Sequence, residues 1–237
     1  MPTTTELLID TPAGAQLRAA LVEPDGPGPH PGVVVLHEAF GLNDDMRRIC
    51  QRFAAEGYTA LAPDLYSAGN RLRCLSAMLL GPEQPQSLAL VETARRHLAA
   101  LPGVDERRLA VIGFCMGGGF ALAFAARGGV KAASVNYGAV PKKADHLRGV
   151  CPVVASYGQK DRLFLSHARR LEQHLADLGV PHDVKVYENV GHSFLSYDNG
   201  PAWMTKLPSP LHAGYSEAEA EDAWKRILAF FAEHVTA

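Results

Sequence analysis

Residues 109–126 hold the feature that most restricts what this chain can fold into. An apolar run, Leu109-Ala110-Val111-Ile112, leads into Gly113-Phe114-Cys115-Met116-Gly117-Gly118-Gly119, and Phe120-Ala121-Leu122-Ala123-Phe124-Ala125-Ala126 follows with a helical pattern. In order this reads as strand, sharp turn, helix. Such a turn lifts one nucleophilic side chain above the end of a sheet, and its glycines relieve the crowding of strand against helix. Serine is the usual occupant of the apex; here it is Cys115. A thiol changes both how the nucleophile is activated and what it attacks. The plainer reading is a compact apolar residue in a glycine-rich turn, and the strand–helix context weighs against it.

The rest of the chain supplies a sheet for that turn. Leu7–Ile9 and Leu17–Val22 flank Pro12-Ala13-Gly14 and suggest an opening hairpin. Gly32-Val33-Val34-Val35-Leu36-His37 is an unbroken run of the kind found in strands buried on both faces. Asn43-Asp44-Asp45 has the form of a helix start, with acidic residues at the positive end of the dipole, and Gly57 ends that helix. Strands are predicted at 58–62, 108–113, 132–137, 152–157 and 183–187, and helices at 86–100, 165–178 and 216–234. Residues 67–86 are too rich in Gly, Pro and Arg to assign. Strands alternating with helices predict one α/β domain over 1–237, with a mainly parallel sheet covered on both faces. Ligands of such sheets sit at the carboxyl ends of strands.

A chain of 237 residues with 47% hydrophobic and 20% charged residues can bury one substantial core. Its net charge of −2 gives no electrostatic reason to expect nucleic acid or an anionic membrane as partner. The N-terminus shows no basic segment followed by an apolar one, and no run is long enough to span a bilayer, so the expected location is cytoplasmic. Cys50, Cys74, Cys115 and Cys151 form no CxxC pair or metal-finger spacing, and the ten histidines form no HExxH pattern; neither metal nor organic cofactor is expected. Oligomeric state is left open.

A cysteine nucleophile needs a base, and the base needs an orienting group. Past Cys115 the chain offers Asp161, in Gly158-Gln159-Lys160-Asp161, and His192, in Gly191-His192-Ser193-Phe194, each just beyond a predicted strand. The order nucleophile, acid, histidine is that of the α/β-hydrolase fold. Singly, His192 reads as a loop histidine and Asp161 as a turn former, with Asp64 and Asp183 as rival acids. The helix beginning at Met116 points its positive end at the thiol and favours the thiolate. An acyl intermediate also needs an oxyanion hole. The N–H of Met116 is one expected donor, and the turn after the strand ending at His37 puts Ala39 in range as the second. Glu38 is a candidate on position alone, with a salt bridge as its plain alternative; His37 reads as packing. Tyr137 and Trp203 are candidate pocket residues, though a core role is the commoner one. The stripe of Trp224, Ile227, Leu228 and Phe231 reads as a core-facing helix.

Four motifs taken together, His37-Glu38-Ala39-Phe40-Gly41, Pro63-Asp64-Leu65-Tyr66, Gly113-Phe114-Cys115-Met116-Gly117-Gly118 and Gly191-His192-Ser193-Phe194, resemble the dienelactone hydrolase family across residues 30–235. The resemblance implies a Cys115–His192–Asp161 triad, with Glu38 beside the thiol taking part in thiolate formation when substrate binds. It also shows a departure. Dienelactone-cleaving members carry an arginine after the histidine motif that holds the substrate carboxylate, and Ser196 stands there instead. A second family arginine falls in the region of Arg71 and Arg73. Losing a bidentate clamp is not conservative. The expectation is therefore a hydrolase of some small ester or lactone, with dienelactone itself in question. Other esters or thioesters are alternative substrates. The alternative classes are a non-catalytic protein that binds a small ligand in the same pocket, and a thiol-dependent redox protein, against which the lack of a nearby resolving cysteine speaks.

Overall fold

The computed structural model describes residues 2–68, 85–197 and 210–236. β1 (Thr4–Asp10) and β2 (Gln16–Val22) form the expected hairpin, followed by β3 (His30–Leu36), α1 (Asp44–Ala55), β4 (Thr59–Pro63) and α2 (Pro85–Ala99). Next come β5 (Val104–Phe114), α3 (Met116–Ala125), β6 (Ala132–Asn136), β7 (Val153–Gly158), α4 (Leu165–Asp177), β8 (His182–Tyr187) and α5 (Glu217–Phe231). Asn43 caps α1 by accepting the Met46 N–H at 3.1 Å. Two features escape the sequence pattern. A 3₁₀ turn spans Ala144–Leu147, and β5 starts at Val104, four residues before the predicted strand. Val104 pairs with His30 across an irregularity, and the intervening Asp105-Glu106-Arg107-Arg108 carries no apolar alternation.

The eight strands lie in the order β1-β2-β4-β3-β5-β6-β7-β8. β1, β2 and β4 pair antiparallel, and every pairing from β4 through β8 is parallel. The chain leaves β3 toward β4 on one side and returns to β5 on the other. β3 and β5 therefore flank the topological switch point, whose carboxyl end is where open α/β sheets take ligands. One face of the sheet is covered by α1 and α5, where Phe53 packs against Trp224 (ring centroids 5.4 Å apart) and Phe231 (6.0 Å). α2, α3 and α4 cover the other. Val33 through Leu36 are fully buried, as both-face coverage demands, and Trp224, Ile227 and Phe231 form the inward stripe of α5. Among the described residues no helix is long and apolar enough to cross a membrane.

Candidate active site

The elbow forms because two glycines let α3 fold back onto the strands. A Cβ at Gly113 would lie 1.9 Å from the Gly117 carbonyl oxygen, and one at Gly117 would lie 2.3 Å from that of Leu36. No other residue type fits that approach. The turn leaves Cys115 at φ 54°, ψ −116°, with its N–H donating to the Asn136 carbonyl at 3.0 Å. Cys115 remains partly exposed. Met116 is the first residue of α3, so its N–H has no partner within the helix.

Register brings the other groups to the same rim. Leu36 pairs with Gly113, so Glu38 and Cys115 lie at equal offsets past adjacent parallel strands. Phe114 pairs with Asn136, which sets Tyr137 beside Cys115 on the other side. Past β7 and past β8, Gly158 and Gly191 close on one another: a Cβ at Gly158 would meet the Gly191 carbonyl oxygen at 2.3 Å. That contact joins the Asp161 loop to the His192 loop. His192 Nδ1 donates to Asp161 Oδ2 at 2.5 Å, and Asp161 Oδ1 accepts the N–H groups of Leu163 and Phe164, each at 3.2 Å. Asp64 and Asp183, the rival acids, pair instead with Arg18 and Arg226.

The His192 ring has Tyr137 and Phe164 packed on it, with centroids 4.9 Å away on each, and it interacts electrostatically with Cys115. Burial opposes its charge, but the bond to Asp161 and the interaction with Cys115 outweigh burial and raise the imidazolium to about 10. Phe164 carried no signal in the sequence; it is recognisable only once α4 is placed against the His192 loop.

Glu38 is 5% exposed. Ser196 Oγ donates to its Oε1 at 2.9 Å, and the Tyr137 hydroxyl lies 3.0 Å from Ser196 Oγ; because Ser196 gives its proton to Glu38, Tyr137 donates to Ser196. Burial pushes the Glu38 carboxyl up, and the charge of His192 with the hydroxyls of Ser196, Ser193 and Tyr137 only partly reverses this. Burial and the Glu38 charge likewise raise the Tyr137 phenol. Ser196 and Tyr137 are both fully buried. The structure thus places both candidate substrate-binding residues against Glu38, below the surface a substrate would touch. Arg71, Arg73 and Trp203, the other three candidates, lie outside the described residues, as does Cys74.

Among described non-glycine residues only Cys115, Tyr137, Ser193 and His212 have positive φ (54°, 43°, 57° and 46°). All four border this rim; the His212 carbonyl oxygen sits where a Cβ on Gly191 would have to go. Strain of this kind collects where surrounding structure fixes a functional geometry. By contrast, a cavity of about 350 Å³ on the flank of α3, lined by Leu88, Ala123, Arg127 and His146 among others, includes none of the candidate catalytic side chains. Among the described residues no cluster of His, Cys, Asp and Glu is arranged to hold a metal ion. Cys50 is buried in α1 and Cys151 is largely so; burial drives both thiols up, that of Cys151 to about 12, which keeps them protonated.

A nucleophile elbow at the switch point of a mainly parallel sheet, followed by an acid and a histidine on later strand ends, defines an α/β-hydrolase. The chain belongs to the dienelactone hydrolase family, whose profile matches residues 17–235. A Yersinia pestis relative, provisionally named a carboxymethylenebutenolidase, is 32% identical over 93% of this chain and 85% of its own. The carboxymethylenebutenolidase of Rhodococcus opacus is 30% identical over 86% of this chain and 81% of its own. Among solved structures, a dienelactone hydrolase-like promiscuous phosphotriesterase from metagenomic libraries superposes with a TM-score of 0.84 at 26% identity, covering 98% of each chain. The protein is a hydrolase.

Proposed function

We propose that this hydrolase cleaves a small ester or lactone by covalent catalysis from Cys115. The observation that carries the reading is the His192–Asp161 hydrogen bond of 2.5 Å at the rim of the elbow, with Cys115 close enough to His192 to interact with it electrostatically. In this scheme His192 starts protonated, Glu38 takes the thiol proton, and the thiolate sulfur attacks the substrate carbonyl carbon. The N–H groups of Met116 and Ala39 hold the oxyanion. Collapse breaks the carbon–oxygen bond, and protonated His192 delivers its proton to the departing alkoxide. Water then gives a proton to neutral His192 and attacks the thioester, releasing the acid and a thiolate that takes its proton back from Glu38. Asp161 keeps the imidazole in the tautomer that these steps require. The raised Glu38 carboxyl is better matched to a thiol proton than an ordinary carboxylate is.

The names of the Rhodococcus and Yersinia relatives support a carboxymethylenebutenolidase-type reaction. Ser196 bonded to Glu38, in the position of the family arginine, favours substrates that do not need a carboxylate clamp from that position, such as simple carboxylic esters or thioesters. The partner is thus a small acyl compound, with no nucleic acid or membrane involved. The test is a panel of p-nitrophenyl esters, thioesters and lactones, each with and without a carboxylate. Turnover is expected on at least one class and is lost in Cys115→Ala. Turnover that survives in that variant sinks the assignment. Ligand binding without turnover by the wild type would instead support the non-catalytic reading.

A further inference from the structure

His37 and Tyr66 belong to two of the motifs, yet the triad uses neither. His37 is fully buried. Its Nε2 lies 3.0 Å from the Leu65 backbone nitrogen, and its Nδ1 lies 2.6 Å from the Glu38 carbonyl oxygen. A backbone N–H only donates, so Nε2 is the acceptor and the ring proton sits on Nδ1, where it donates to the Glu38 carbonyl. Asp64 Oδ1, at 3.9 Å from Nε2, is beyond hydrogen-bond range and accepts the Tyr66 N–H instead.

The carbonyl that His37 grips shares a peptide plane with the N–H of Ala39. The one cis bond among the described residues is Gly28–Pro29, so this peptide is trans, and its N–H points opposite to its C=O. The Glu38 carbonyl accepts the Gly41 N–H at 3.2 Å and the shorter bond from His37 at 2.6 Å, and fixing it in this way fixes the direction of the Ala39 N–H. Tyr66 fixes the next plane. Its hydroxyl donates to the Ala39 carbonyl at 2.9 Å and lies 3.9 Å from Met116 Sδ, so one side chain touches both residues assigned as oxyanion donors. The His37 and Tyr66 rings also pack on each other at 5.0 Å.

We infer that His37, in its Nδ1–H tautomer, and Tyr66 are positioning residues that aim the Ala39 N–H as an oxyanion donor. The inference rests on the proposed ester-cleaving reading. It explains why a histidine precedes the glutamate and why the Pro-Asp-Leu-Tyr segment, far away in sequence, belongs to the same site.

The test separates the two sides of the imidazole. Asparagine places an amide near Nδ1, and glutamine places one near Nε2. His37→Asn keeps a donor for the Glu38 carbonyl; His37→Gln loses it while keeping an acceptor for Leu65. With a p-nitrophenyl ester, the acylation burst rate is expected to fall about tenfold to a hundredfold in His37→Gln, less than the loss of a whole oxyanion donor. It is expected to stay near wild type in His37→Asn, with the substrate dissociation constant, read from the concentration dependence of the burst, unchanged in both. Alkylation of Cys115 by iodoacetamide, which forms no oxyanion, is expected to be unaffected. Tyr66→Phe removes a single oxygen and is expected to slow acylation several-fold with the same signature, which keeps the idea testable if the His37 variants do not fold. Equal losses in the Asn and Gln variants overturn the inference. So does alkylation that slows in step with acylation, or a Tyr66→Phe variant with an unchanged burst. A wild-type protein that cleaves no ester sinks the functional reading and this inference with it; an active wild type with unimpaired variants sinks the inference alone.

Discussion

Among the described residues, Arg226 and Glu38 each take a charge out of water, and they do it in opposite ways. On the α5 face, Arg226 gives one hydrogen bond to the Asp183 carboxylate (2.9 Å) and holds it in an ion pair at 2.7 Å, with further bonds to the Asp183 and Ala155 carbonyls, Ser156 Oγ and the Tyr187 hydroxyl. Every part of the guanidinium has a partner of opposite sign or a lone pair. At the rim, Glu38 is buried more deeply and is surrounded mainly by hydroxyls: Ser196, Ser193 and Tyr137. The first arrangement satisfies a charge where it stands. The second holds a carboxyl in a state that a proton can change, on a backbone strained at Tyr137 and Ser193. The proposed mechanism makes Arg226 structural and Glu38 functional, and variants at the two sites should separate stability from activity.

The largest separation is expected at Cys115. Glycine there removes the proposed nucleophile and also the Cβ forced to φ 54°. Strain of that order is about 1–3 kcal/mol, against roughly 0.5–1 kcal/mol lost to glycine's extra freedom in the unfolded chain. Cys115→Gly should therefore lose turnover by about 10⁴-fold or more while its melting temperature holds or rises. A variant that is both inactive and clearly less stable would mean that the elbow serves the fold as much as the chemistry.

Next in size is Asp161→Asn, which keeps the shape and removes the charge. Turnover should fall about 10³–10⁴-fold, because the amide no longer specifies the imidazole tautomer. The bond from Asp161 helps hold His192 up at about 10. In the variant the imidazole should titrate closer to its ordinary value, which NMR titration of the ring would show. An unmoved titration would assign the shift to Cys115 alone.

At the contrasting site, Arg226→Ala should leave kcat/KM within a factor of a few and destabilise the protein by about 1.5–3 kcal/mol, the range for hydrogen bonds to charged groups. The side chain of Arg226 is 15% exposed but that of Asp183 is 46%, so the abandoned carboxylate can rehydrate. The larger cost of breaking a fully buried pair is not reached. Urea denaturation with a parallel ester assay measures both numbers.

The same contrast explains what was legible in the sequence. Val33–Leu36, the elbow glycines and the α5 stripe announce themselves because burial and close approach demand particular residue types at fixed spacing. Cys115, Asp161 and His192 are legible because each follows a strand in an order that the sheet converts into proximity. Arg226 and its partners leave no such trace, since Asp183, Tyr187 and Ser156 meet it only after β7, β8 and α5 have packed. Ser196 is legible as a departure from the family pattern, but its bond to Glu38 is not, because 158 residues separate the two. His37 reads as packing until the tautomer can be derived from Leu65, and that needs the placement of β4's exit beside β3's. Proximity implied by strand order is readable in the sequence; contacts that depend on how helices and loops pack on the strands are not.

The smallest expected effect tests the Glu38 half of the comparison directly. Burial raises its carboxyl above the unfolded value, so between those two values the folded protein binds more protons than the unfolded one. Stability then falls as pH rises through that window, and the penalty persists at neutral pH. Glu38→Gln removes the titrating group and can still accept from Ser196. It should lose activity yet melt a few degrees higher at pH 7, with the advantage vanishing below the ordinary carboxylate value, where wild-type Glu38 is protonated in both states. Differential scanning calorimetry at pH 4 and pH 7 reads the sign. A gain at pH 7 that disappears at low pH identifies Glu38 as a carboxyl held against its own stability for the sake of the thiol. A loss at pH 7 would make its hydroxyl partners a charge-stabilising site like that of Arg226, and the distinction between the two regions would fail.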